Sequence, residues 1–247
     1  GTTLNSDDAV DLGDQAADTE DTVNATINGL TATTGALSIS GAEAVNLDTA
    51  GAASTIDATS ISGAVRLGVA SAQNVTLTGL SADATVGLGI SDADDDYTGT
   101  VDISLADETG DSDTVAIDII DQAADNAVNA TLVSDRGNVE SAAINVATED
   151  DGDDSATLDI SDFDVATITL TNGAEAGANF AADTLTLGTL SATTTELDAS
   201  AFAGIVSATA SNSDTSVSLT GDVAHDVTGG TGGDTFTVST LDAAVDI

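Results

Sequence analysis

Short runs in which every second residue is aliphatic recur along the chain: NVTLTGL, TVDISL, ATITLTN, DTLTLGTL, SVSLTG and TFTV. Alternation of this kind sends one set of side chains inward and the next outward, which is how a β-strand reads. Clusters of Gly, Asn and Asp separate the runs at intervals of roughly ten residues, the spacing of short strands joined by tight turns. No long helical period competes with them, so the chain is expected to be all-β.

The bulk available for a core narrows the choice. Of 247 residues, 41% are hydrophobic, but only four are Phe, one is Tyr and none is Trp. Immunoglobulin-like sandwiches usually want a bulky aromatic core and tolerate Pro in their loops, and this chain has no Pro. A parallel β-solenoid needs only stacked Val, Ile, Leu and Ala inside, with Thr, Ser, Asn and Asp at its corners and faces. It also explains the missing Pro, because central strands use every backbone amide. The expected fold is therefore a parallel β-solenoid with tight Gly/Asp-rich turns, and tandem β-sandwiches are the alternative.

A tetrapeptide fixes the phase of several strands. IDAT (Ile56–Thr59), VDIS (Val101–Ser104), LDIS (Leu158–Ser161) and LDAS (Leu197–Ser200) share an aliphatic residue, an Asp, a small or aliphatic residue and a hydroxyl. In a strand the first residue of each points inward and the Asp lies outside or at a turn. At a larger scale, AVDLGDQAADTEDTVNATI (Ala9–Ile27) matches AIDIIDQAADNAVNATL (Ala116–Leu132), and GAEAVNL (Gly41–Leu47) is echoed loosely by NVESAAINV (Asn138–Val146). These duplications divide the chain into two related units, 1–110 and 111–247, which as solenoid form one continuous stack. The shared DQAAD reads as architectural.

Charge decides the partners. There are 43 acidic residues, two arginines (Arg66 and Arg136) and a formal charge of −41. Such a surface repels phosphate backbones and anionic headgroups, which argues against nucleic-acid and membrane-surface binding. No stretch approaches the roughly 18 apolar residues of a membrane span. Cations are the natural complement.

Near the C-terminus, GGTGGDTFT (Gly229–Thr237) fits the nonapeptide G-G-x-G-x-D-x-U-x at every specified position. Together with the Thr/Ala/Gly/Ser/Asp-rich texture, SISGAEAVNLDTAG, IDATSISG, LDASAFAG and DVTGGTGGDTFTV, it resembles calcium-dependent, RTX-containing bacterial surface-layer proteins of the Caulobacter type and large secreted RTX adhesins. The likeness in phrasing is spread over most of the chain, and only Gly229–Thr237 is a specific motif. The resemblance implies a calcium-bound solenoid, secreted to the cell surface, that assembles with copies of itself into a sheet or fibre. One departure stands out: the upstream TGDVAHDVT is degenerate, with Asp226 eight residues from Asp234 where consecutive nonapeptides give nine. A complete calcium site takes ligands from successive turns. Asp226, Gly230, Gly232 and Asp234 are accordingly the candidate ligands here, the partner turn coming from TGDVAHDV or elsewhere.

Three acidic loops are further calcium candidates, because spaced carboxylates beside a Gly suit an oxygen-ligated ion. They are SDADDDYTG with Asp92, Asp94, Asp95 and Asp96, DETGDSD with Asp107, Asp111 and Asp113, and ATEDDGDDS with Glu149, Asp150, Asp151, Asp153 and Asp154. None has EF-hand spacing, and a charge run is otherwise a solvated loop. Asn24, Asn74 and Asn129 begin N-x-T sequons that a secreted protein can glycosylate, or are simply strand residues.

An enzyme is not expected. A lyase acting on an acidic polymer needs more cationic side chains than two arginines, and His225, the single imidazole, has no nucleophile arranged around it. Ranks of Thr like those of an ice-binding face are present only irregularly. The expected function is a structural, extracellular, calcium-stabilised protein that forms a homo-oligomeric layer or fibre, with Gly1–Val10 or Thr235–Ile247 lending a strand across the junction. The alternative is a calcium-rigidified adhesin module that binds a cell-surface glycan. Gly1, in place of an initiator Met, points to a processed chain or an excised piece.

Overall fold

The computed structural model describes residues 4–5, 8–13, 21–32, 37–69, 73–82, 84–89, 97–107, 113–121, 128–134, 139–148, 155–173, 184–211, 213–220 and 223–239. Among them, strands form a ten-stranded sheet, a nine-stranded sheet and a two-stranded sheet. The ten-stranded sheet runs β2 (Thr22–Ile27), β5 (Ala44–Thr49), β7 (Ala64–Val69), β9 (Thr85–Leu88), β11 (Thr114–Asp121), β13 (Ser141–Thr148), β15 (Thr167–Asn172), β17 (Glu196–Ala201), β19 (Ser216–Leu219) and β21 (Thr235–Val238). Facing it are β3 (Thr31–Ala32), β6 (Ser54–Asp57), β8 (Val75–Leu80), β10 (Thr100–Leu105), β12 (Asn129–Ser134), β14 (Ser155–Phe163), β16 (Thr184–Thr189), β18 (Ile205–Thr209) and β20 (Asp226–Thr228). The third sheet pairs β1 (Ala9–Asp11) with β4 (Ser38–Ser40).

Successive strands of each large sheet are separated in the chain by a strand of the other, and their pairings are parallel. The chain thus winds as a parallel β-solenoid. The sandwich alternative, which needs antiparallel neighbours, does not describe it. The ten-stranded sheet continues from β2 to β21 without a break at residue 110.

Inward side chains stack in columns. Val23 pairs with Val45, Val45 with Val65, Val65 with Val86, Val86 with Ile117 and Ile117 with Ile144. Ile56, Val101, Leu158 and Leu197 are all fully buried, while Asp57, Asp102, Asp159 and Asp198 are half-buried or exposed. A single apolar cluster fills the space between the sheets.

The first coils are three-sided. β1 and β4 form the extra face, which ends at a parallel bridge from Ile39 to Ile61; beyond Ile61 the described strands lie in the two large sheets. One consequence concerns the duplicated segment. Its first copy places β1 in the two-stranded sheet and β2 in the ten-stranded sheet, whereas its second places β11 in the ten-stranded and β12 in the nine-stranded sheet. Strand, loop and strand are preserved, but on different faces. Asp14–Asp18 lies outside the described residues, as does Asp121–Asp125 apart from the Asp121 backbone that closes β11.

The Asp-containing tetrapeptides do more than mark phase. Asp159 Oδ1 accepts the Ser161 amide at 3.1 Å and its hydroxyl at 2.8 Å, and Asp57 Oδ1 accepts the Thr59 amide at 3.0 Å. In β14 this turn coincides with an extra residue: Thr131 pairs with Asp159, but Val133 pairs with Asp162. Strict alternation from Leu158 would bury Asp162 and expose Phe163. The bulge reverses that, leaving Asp162 exposed and Phe163 fully buried.

Candidate cation sites at the corners of the coils

The corners that lead into the ten-stranded sheet are built from backbone carbonyls. The Asp113 carbonyl accepts the amides of Glu140 (3.0 Å) and Ser141 (3.1 Å), and the Glu140 carbonyl in turn accepts those of Ala166 and Thr167. A carboxylate closes the first of these corners: Glu140 Oε2 accepts the Asp113 amide at 2.8 Å. The same arrangement occurs nearer the N-terminus, where Glu43 Oε2 accepts the Asp21 amide at 2.8 Å and the Asp21 carbonyl takes the Glu43 amide at 2.9 Å. At each corner a Glu carboxylate of one coil therefore closes on the backbone amide of an Asp in the adjacent coil. At the Asp113–Glu140 corner Asp113 Oδ2 is buried and has no hydrogen-bond partner among the described residues.

Asp113 was legible as a candidate in DETGDSD, while Glu43, Glu140 and Asp21 were not. Their signal was the echo between GAEA and NVES, whose acidic residues occupy matching corners. Of the other candidates in that loop, Asp107 is exposed after β10 and Asp111 lies outside the described residues. Asp92, Asp94, Asp95 and Asp96 also lie outside them, as do Glu149, Asp150, Asp151, Asp153 and Asp154. Tyr97, next in sequence after Asp96, is fully buried and donates its hydroxyl to the Gln73 carbonyl at 2.7 Å. Burial raises the Tyr97 pKa far above that of a free phenol.

The nonapeptide turn is held against a different neighbour from the one its sequence suggests. A Cβ on Gly230 would collide with the Ser211 carbonyl, and one on Gly232 would sit 2.6 Å from the Ser213 carbonyl. These glycines allow the turn to stack on Ala210, Ser211, Ser213 and Asp214, one full coil upstream. Asp234 Oδ1 accepts the Thr215 amide at 3.1 Å, and Asp214 Oδ1 accepts the Gly233 amide at 2.7 Å, so the two turns cap each other. Of TGDVAHDV, Val223–Val227 leads into β20 in the nine-stranded sheet, on the opposite side of the coil, with Asp226 exposed beside Ser207. The reason is geometric: each coil carries two strands, so stacked turns are a whole coil apart rather than half of one.

His225 in that opposite edge is 2% exposed. Its Nδ1 accepts the Val206 amide at 3.1 Å, which requires the proton on Nε2, and Nε2 donates to the Thr220 carbonyl at 3.1 Å. Burial holds its pKa below the ordinary imidazole value. The ring is a neutral strut between β18 and Thr220, just past the end of β19.

On the outer face, side chains form ladders. Asn46 donates to Asn24 Oδ1 at 2.8 Å, Asn145 to Asp118 Oδ1 at 3.3 Å and Thr171 to Asn145 Oδ1 at 3.2 Å. The outward threonines do not form an unbroken rank, since Glu196 and Asp198 interrupt the columns of Thr167 and Thr169.

Among the described residues no group of three or more His, Cys, Asp or Glu side chains converges on one point. What the corners offer is hard oxygen: a Glu carboxylate, the Asp beside it in the next coil and the backbone carbonyls, a donor type suited to calcium rather than to a soft metal. The class defined by this architecture is a parallel β-solenoid with acidic corners. The sequence matches no protein-family model, no curated protein and no solved structure.

Proposed function

We propose that this is an extracellular structural protein, a solenoid whose acidic corners bind calcium and which assembles with copies of itself into a layer or fibre. The observation that carries the reading is Asp113. A carboxylate oxygen buried without a donor is costly, and here it stands at a corner shared with the Glu140 carboxylate in a chain of formal charge −41. A divalent cation at such a corner offsets both the desolvation and the repulsion. Because it binds the folded coils and not the open chain, it stabilises them by mass action.

The test is thermal melting and electron microscopy of the protein with calcium, with magnesium, with chelator, and with chelator plus sodium chloride. Calcium raises the melting temperature and promotes assembly more than magnesium does, and sodium chloride, which only screens, restores part of the effect. Melting and assembly indifferent to chelation, or fully restored by sodium chloride, would overturn the reading and make the acidity an adaptation to salt.

A further inference from the structure

Among the described residues the two outermost strands of the ten-stranded sheet, β2 and β21, complement each other as consecutive coils do. Along β21 the amides of Thr235 and Ser239 bond back to Thr215 and Leu219, so the alternate residues Phe236 and Val238 turn their backbone groups away from the stack. Along β2 the carbonyls of Asp21 and Ile27 bond to the next coil, so Thr22, Asn24 and Thr26 face away. The Leu4 amide takes the Thr26 carbonyl at 3.2 Å, which leaves Thr22 and Asn24 open among the described residues.

Side chains at the two edges match as well. Val217 and Leu219 are buried in the columns that Phe236 and Val238 continue, yet Phe236 and Val238 are only half-buried, because no described coil follows them. At the other end, Val23 is half-buried beside a hollow of about 440 Å³ whose lining includes Leu4, Val10, Leu12 and Ala25, with Asp8 as its one acidic residue. Edge strands are normally blunted by charge, proline or a bulge. Neither TVNATI nor TFTV carries a charge or a proline, and both pair with their inner neighbours without a register shift. In a chain of charge −41, two uncharged strands at opposite ends are a surface on which copies can approach.

We propose that copies of this chain join head to tail, β21 of one adding in parallel to β2 of the next, with Phe236 entering the hollow beside Val23 and Val10. The proposal rests on the self-assembly reading above and names its contact. A heterologous junction of this kind does not close on itself and builds a filament.

Two proline variants separate the contact from the fold. Val238→Pro removes an outward amide that the monomer does not use, and Thr22→Pro does the same at the first residue of β2, where proline is tolerated. Circular dichroism melting checks that each folds as the parent does, and sedimentation velocity in calcium reads the assembly. Each variant alone stays monomeric at concentrations at least about tenfold above those at which the parent chain assembles. An equimolar mixture of the two stops at a dimer, because one open β21 meets one open β2. Phe236→Asp, which leaves the edge backbone intact, gives the same loss as Val238→Pro. If the parent assembles and either proline variant assembles equally well, or the mixture stays monomeric, this junction is wrong while the self-assembly reading stands. A parent chain that remains monomeric in calcium overturns that reading as well.

Discussion

Asp198 Oδ1 accepts the amide of Ser200 at 3.0 Å, and across that two-residue span β17 gains a residue on β15: Thr169 pairs with Asp198 but Thr171 with Ala201. The slip turns Phe202 into the core, where it is fully buried. The turn therefore couples a surface carboxylate to the placing of an aromatic ring. Bonds from Ser200 hold the Asp198 pKa below its ordinary 3.8. The contribution of this carboxylate is then complete above that ordinary value and is lost as pH falls through the lower folded value. Replacing Asp198 by Ala is expected to cost about 1 kcal/mol at neutral pH, and Asn, which keeps an acceptor oxygen, less. Denaturant unfolding at pH 7 and in acid checks this: the gap between parent and Ala variant closes in acid, and equal stability of the two at pH 7 would refute it.

Ser134 sits in a core column between Ile103 and Phe163, 3% exposed, with no partner for its hydroxyl among the described residues. A buried hydroxyl without a bond costs about 1–3 kcal/mol. Ser134→Ala is expected to stabilise the protein, raising the melting temperature by about 2–4 °C for each kcal/mol recovered. A lower melting temperature would show that the hydroxyl is satisfied.

Two glycines should respond to Ala for different reasons. Gly230 lies against the Ser211 backbone and has no room for a Cβ, so Gly230→Ala forces the last turns apart at a cost of about 1–3 kcal/mol. Gly188 has φ +63° and nothing within 4 Å of its Cβ position, so Gly188→Ala costs only the left-handed conformation, about 1–2 kcal/mol. Asn at the two positions separates the causes, rescuing Gly188 but not Gly230. Melting curves of the four variants decide it, and equal tolerance of Asn would remove the steric argument.

His225 makes the stability of the last coils depend on pH. Its folded pKa lies below 6.5, so the open chain takes up a proton that the folded chain refuses. Stability from the neutral ring is complete above about pH 6.5 and is lost as pH falls through the folded value. Carboxylate titration changes the whole-chain repulsion as well, so the informative quantity is the difference from His225→Asn, which accepts the Val206 amide but does not titrate. Between pH 7.5 and 5.5 the parent is expected to lose stability relative to the variant. A flat difference would place the ring in water.

Asp113→Asn carries opposite expectations with and without a cation at its corner. In calcium the substitution removes a ligand, and the stabilisation by calcium shrinks. In chelator it removes a buried charge, and the variant matches or exceeds the parent. Melting under the two conditions reads the difference, and an identical calcium response in parent and variant would take Asp113 out of the site.

The periodicity of Ile56, Val101, Leu158 and Leu197 was readable because inward and outward positions depend only on neighbours two residues away. The bulges at Asp159 and Asp198 were half-visible: LDISDF and LDASAF set an aromatic five residues after an inward Leu, a spacing that strict alternation cannot bury. The stacking of Gly230 on Ser211 was hidden, since which turns meet depends on the length of an entire coil. The third face was hidden as well, because nothing in the local pattern of SIS distinguishes a strand of the extra sheet from one of the main sheets. The bond from the Asp113 amide to Glu140 belongs to the same class, one residue flagged by its acidic surroundings and the other set beside it only by winding.

Coil length varies widely while the columns stay aligned: Val217 meets Phe236 after 19 residues, but Val86 meets Ile117 after 31. The bonds joining coils run along the axis of the stack, so a pull on its two ends opens them one rung at a time instead of shearing many together. Each rupture frees one loop of chain, roughly 60 to 110 Å when fully extended. The force trace of a single molecule is then an uneven sawtooth whose spacings spell out the order of the coils.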